Sequence, residues 1–219
     1  MLYKISYNFS NIVFEQYENY QKMSFRNRCR IAGAEGAIDL SIPLLQGRDQ
    51  KTLMKDVRIS DRQPWQAQHW KTMVSCYSRS PWFEFYRDEL EGVYKKRVGF
   101  LLDWNLVCFE WSLGVLGLSI PVTLTDRYQK DYETGGGVTP PESVDARGRI
   151  LPKNGTVILS GGAGASAGSG ELFASAGALN RPAIKYRQVF EERVGFIPNL
   201  SILDLLFCEG REAIRYIRS

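Results

Sequence analysis

Hydrophobic and polar positions alternate with period two over the first quarter of the chain and then shift to helical spacing. Residues 11–16, NIVFEQ, are rich in β-branched and aromatic side chains and predict a short strand. In residues 24–32, SFRNRCRIA, Phe25, Asn27, Cys29 and Ile31 alternate with Arg26, Arg28 and Arg30, which puts the three arginines on one strand face. Ala34-Glu35-Gly36 predicts a turn, and residues 37–43 a second strand with Ile38, Leu40 and Ile42 on one face, so the two segments form a hairpin. Residues 55–60 predict a further strand, with Val57 and Ile59 inward and Arg58 on the opposite face.

From Pro64, which suits a first helical turn, Trp65, His69, Trp70, Met73, Val74 and Tyr77 line one face of a helix. Ser80 and Pro81 read as N-cap and first position of the next helix, running from Trp82 to about Tyr94. A third helix covers about Phe100 to Leu116 and stops at Gly117, and residues 119–124 predict a strand after it. Residues 126–170 read as a flexible polar and glycine-rich region, within which 156–160 predict a strand and 161–170 a low-complexity run. Residues 171–179 predict a short helix, 184–191 an extended segment, and 201–207 and 212–217 two short amphipathic helices split near Gly210. The expected fold is α/β: a single domain over residues 1–219, with short strands and a helical middle section.

Composition narrows the function classes. The net charge of +4 is too weak and too dispersed to predict a nucleic-acid binder. RNA binding through the basic strands and aromatics is a minor reading that would need steep salt dependence. Four widely spaced cysteines, Cys29, Cys76, Cys108 and Cys208, read as reduced thiols of a cytoplasmic protein. The longest apolar stretch, 100–118, is interrupted by Asp103, Asn105 and Glu110 and predicts a buried helix, not a membrane span. With one histidine and no Cys/His cluster, neither a metal nor another cofactor is expected.

Three blocks carry a family resemblance: ENYQKMSFRNRCRI at 18–31, KDVRI at 55–59 with WQAQHWKTMVSCYSRSPWFEFYRDELEGVY at 65–94, and YRQVFEERVGFIPNLSILDLLFCEG at 186–210. Together they resemble the WbqC-like family, in the form common among Bacteroidetes. The family's usual first strand and helix have no counterpart before residue 11, so the start reads as shortened, and the 161–170 run reads as an insertion. The resemblance implies a protein of O-antigen-type surface polysaccharide biosynthesis. It would be a transferase-like protein binding an anionic donor such as a nucleotide-sugar or acyl donor. The alternative is a non-enzymatic binding or scaffold protein of the same pathway.

The chemistry-bearing residues follow. Arg26, Arg28 and Arg58, with Arg30 and Lys55, can form a clamp for a phosphate or carboxylate, because guanidinium donors match such anions bidentately. The competing reading is a solvated strand face paired with Glu15 or Glu18. Asn27, facing inward, either touches the ligand or orients a loop. His69, the natural general base, sits on an aromatic helix face where a hydrogen-bonded core role competes. Tyr77 and Tyr86 belong to an aromatic-rich helix pair, with Trp65, Trp70, Trp82, Phe83 and Phe85. It serves either as a sugar-stacking platform with both hydroxyls at a pocket rim or as core. Asp204 is a second base candidate, or part of a capping box with Ser201. Gly162, Gly164 and Ala167 imitate a dinucleotide fingerprint but lack the acidic residue about 20 positions on. Oligomeric state is not legible.

Overall fold

Short strands precede three helices in the computed structural model, which describes residues 11–46, 51–128, 151–153, 156–158 and 185–218. Of the flexible region expected at 126–170, residues 129–150, 154–155 and 159–170 lie outside these residues, as does the helix expected at 171–179. Strand β1 (Ile12–Phe14) pairs in parallel with β4 (Val122–Leu124), while β2 (Arg28–Gly33) and β3 (Gly36–Ser41) form the expected antiparallel hairpin. Strands β5 (Leu151–Lys153) and β6 (Thr156–Ile158) make a second hairpin. Helices α1 (Trp65–Tyr77), α2 (Phe83–Lys95) and α3 (Leu101–Val115) form the helical middle, and α4 (Glu191–Val194), α5 (Ile202–Glu209) and α6 (Ala213–Arg218) follow. The fold is mixed α/β.

The β2–β3 register places Arg28 opposite Ser41, Arg30 opposite Asp39 and Gly33 opposite Gly36. The two-residue turn between the last pair is possible because Gly36 sits at φ +125°, where a side chain would strain the backbone. Ile31 and Leu40 from this hairpin join Val57, Met73, Tyr77, Phe83, Leu101, Leu206 and Phe207 in one hydrophobic core. Each such large apolar side chain, once fully buried, contributes about 1.5–3 kcal/mol. The run from Leu203 to Cys208 is buried throughout, which makes α5 a central helix enclosed on all sides. Gly117, at φ +66°, ends α3: its N–H donates to Gly114 O and that of Leu118 to Leu113 O, a Schellman closure.

Three local expectations are corrected. The 55–60 segment is not a strand. A 3-10 turn covers Met54–Asp56, and only isolated bridges follow, Arg58 to Phe100 and Ile59 to Leu44. Val57 and Ile59 are nonetheless buried and Arg58 exposed. Ser80 does not cap α2. Its hydroxyl donates to Tyr77 O at the end of α1, and α2 begins after Trp82. The segment expected to be extended over 184–191 ends early, in a turn at 189–190 that leads into α4 at Glu191.

Candidate functional site

The polar face of the β2–β3 hairpin presents Arg28 and Arg30 toward one acid, Asp39 of β3. Arg30 takes both carboxylate oxygens, with Nε 2.7 Å from Oδ1 and Nη2 3.2 Å from Oδ2. This bidentate bond, followed by the charges of Arg30 and Arg28, holds the Asp39 carboxyl below the usual carboxylate range. Arg26, just before β2, is bonded to Glu18 through Nε and Nη2 at 2.9 and 2.6 Å.

Arg28 is left over. Its Nη1 lies 3.8 Å from Asp39 Oδ2, beyond hydrogen-bond range, and among the described residues Nη2 meets only the Met23 sulfur, at 3.9 Å. Its Nε is buried with no hydrogen-bond partner, although the side chain keeps 15% of its exposure. A guanidinium so placed retains donor capacity that a bound anion would satisfy. The cations of the second segment face aromatic rings. Arg58 lies over Phe100, 5.3 Å from its centroid, and Lys55 over Tyr17 at 4.5 Å.

The remaining candidates are held by the core. Asn27 is buried: its Oδ1 accepts from the Tyr20 hydroxyl and its Nδ2 donates to Ile42 O, each at 3.0 Å. His69 is also buried, 3.2 Å through Nε2 from Ser41 O, and packed edge-on against Trp65. The carbonyl can only accept, so Nε2 carries the proton. Burial depresses the imidazole pKa, only partly opposed by that hydrogen bond. Asp204 is completely buried. Its two oxygens accept from the hydroxyls of Tyr77 at 2.5 Å and Tyr186 at 2.6 Å. Ser201 does cap α5, through Leu203 N, but the reciprocal half of the capping box is missing because the Asp204 side chain points to the tyrosines. Tyr77 is fully buried and its oxygen accepts from Ala32 N, so its hydroxyl is a core tie. Tyr86 is 2% exposed, and its hydroxyl has no partner.

The hairpin brings His69 and Arg28 to the same level, since Ser41 bonds the first and faces the second. The Tyr77–Asp204 pair instead meets β2 at Ala32, about 13 Å further along the strand. Two partners escaped the sequence reading. Asp39 was visible as an acid on the polar side of the second strand; Tyr186 carried no signal beyond alternation. Among the described residues, no three His, Cys, Asp or Glu side chains gather as a metal site, and no helix is long and apolar enough to cross a membrane.

Comparison with curated proteins and with solved structures returns no match. The family model for the WbqC-like protein family matches residues 3–216, nearly the whole length, and the chain belongs to that family.

Proposed function

We propose that this WbqC-like protein is a binding protein of cell-surface polysaccharide biosynthesis. It acts in the cytoplasm as one domain and takes an anionic sugar precursor or acyl donor at Arg28. The observation that carries this reading is the Arg28 guanidinium, partly buried beside an acid whose oxygens Arg30 already occupies. Arg26 and Arg30 are each held by their own acid, Glu18 and Asp39, which leaves Arg28 with the least engaged guanidinium of the three. Family membership supports the pathway, and four free cysteines fit a reducing compartment. A transferase acting here would need a base, and both candidates are engaged: His69 donates to a backbone carbonyl and Asp204 is sealed beneath two tyrosines. Binding without chemistry is therefore favoured over transfer.

A thermal-shift panel of nucleotide-sugars, sugar phosphates and coenzyme A thioesters tests the reading. A ligand at about 100 times its Kd adds about 2.7 kcal/mol, a shift of about 5–10 °C for a chain of this size. The expected hit disappears in Arg28→Ala and survives in Arg187→Ala, at an exposed ion pair with no part in the site. A flat panel from folded protein, or a hit indifferent to Arg28→Ala, removes the proposal.

A further inference from the structure

We propose that Trp82 and Phe85, at the start of α2, form a stacking platform for a pyranose ring, a saccharide site separate from Arg28. Most of the aromatic helix pair is core: Trp65, Tyr77, Phe83 and Tyr86 are buried. Trp82 and Phe85 are the exceptions, 37% and 57% exposed. They are three positions apart, neighbours at the head of a helix, with ring centroids 6.0 Å apart and planes at 83°.

The platform is rigid. The Trp82 backbone N–H donates to Phe207 O of the buried α5 at 3.0 Å. The indole rests directly on Gly210, where a Cβ would overlap Trp82 Cδ2. One indole face is thus filled by backbone, while the residue as a whole stays 37% exposed. An aromatic ring fixed before the ligand arrives costs little ordering entropy on binding.

Its surroundings are polar in the way a sugar requires. The Arg211 guanidinium lies over the Phe85 ring at 5.7 Å from its centroid. The Tyr86 ring meets Phe85 edge-on at 4.9 Å, and the Tyr86 hydroxyl is buried without a partner. The exposed Glu84–Arg87 pair flanks the same helix turn. A pyranose presents an apolar C–H face ringed by hydroxyls, so it can stack on Trp82 while its hydroxyls meet the Arg211 guanidinium and the exposed Glu84–Arg87 pair.

Area separates this occupant from a protein partner. Aromatic side chains of roughly 150–250 Å² at these exposures leave about 200 Å² of apolar surface. That is far below the ~800 Å² per partner of a stable protein interface, and it matches one or two sugar rings. A second copy of this chain is therefore the poorer fit.

Saturation-transfer NMR with neutral methyl glycosides of glucose, galactose, mannose and N-acetylglucosamine tests the site. Being uncharged, these probes do not report on Arg28. Transfer is expected to the C–H protons of one ring face of at least one glycoside. It should fall about tenfold in Trp82→Ala and in Phe85→Ala, and persist in Arg28→Ala. Phe85 is exposed, so its variant keeps the fold and secures the comparison if Trp82→Ala unfolds. No transfer from any glycoside to folded wild-type protein, or transfer unchanged in Phe85→Ala, overturns the proposal. So does self-association in sedimentation that Phe85→Ala abolishes, which would assign the face to a second copy.

Discussion

The Tyr77 hydroxyl donates to Asp204 Oδ1 at 2.5 Å across 127 positions of sequence, and both residues are completely buried. The same oxygen accepts from Ala32 N, so one phenol joins β2, the end of α1 and the central α5. Tyr77→Phe leaves an orphan N–H and a carboxylate short of one donor, which costs about 3 kcal/mol. Urea unfolding measures it. Tyr186→Phe, removing only the outer donor, should cost less, about 1–2 kcal/mol. Equal losses in the two variants would mean that the inner bond has no special weight.

Acid response should divide between two aspartates of opposite sign. Burial raises the folded pKa of Asp204 above its unfolded value of 3.8, against the two tyrosine bonds. Its contribution is complete below 3.8 and is lost as pH rises through the folded pKa. The hydrogen bond from Arg30 lowers the folded pKa of Asp39, so its contribution is present above 3.8 and lost as pH falls through the folded pKa. Stability followed in urea from about pH 3 to 7 should therefore fall more steeply on acidification in Asp204→Asn and less steeply in Asp39→Asn. Slopes in the reverse order would refute the assignment.

His69 adds a separate limb. Its depressed folded pKa gives a contribution present above the unfolded value of 6.5 and lost on acidification. By NMR its ring should titrate below 6.5, and His69→Gln should flatten the stability profile just below neutrality. A midpoint above 6.5 would contradict a neutral, buried imidazole.

Two glycines with similar φ should respond differently. Gly117, at φ +66°, has no atom within 4 Å of an added Cβ, whereas Gly210, at φ +58°, has Trp82. Gly117→Ala carries backbone strain of about 1 kcal/mol. Gly210→Ala must also displace the indole and should cost at least about 2 kcal/mol. Thermal unfolding of the pair measures the added cost at Gly210, which combines the indole clash with a ψ of −133° that disfavours alanine.

The free thiols should be quiet. Burial pushes Cys29, Cys108 and Cys208 up to about 12, so at pH 8 the thiolate fraction is about 10⁻⁴. Ellman's reagent should label the native protein orders of magnitude more slowly than the urea-unfolded chain, with Cys76 reacting first. Rapid native labelling of Cys29 would show its strand to be open.

What was legible in the sequence followed from periodicity. Alternation at Cys29–Ile31 and Ile38–Leu40 located the hairpin, and helical spacing from Trp65 to Tyr77 located α1 with its buried face. The arginines were legible as charges, but which of them keeps free donors was not. That depends on register: Arg30 stands opposite Asp39, and the acid's oxygens are used there. Asp204 was read as a base candidate or as part of a capping box with Ser201, three residues before it. Its true partners come from α1 and an irregular segment, a tertiary arrangement with no local signature. At 55–60 alternation buried the right residues without making a strand, because only single bridges support the backbone.

The parallel pairing of β1 with β4 has a kinetic meaning. Gln16 N donates to Thr125 Oγ1, and that hydroxyl donates to Glu15, across about 110 residues of intervening chain. No local turn can nucleate such contacts, so they form only after the hairpin and the three helices have drawn the two segments together. This three-residue ladder therefore closes late, as do the still longer-range ties of α5 to β2 and α1. Its amides should exchange with solvent sooner than those of the hairpin.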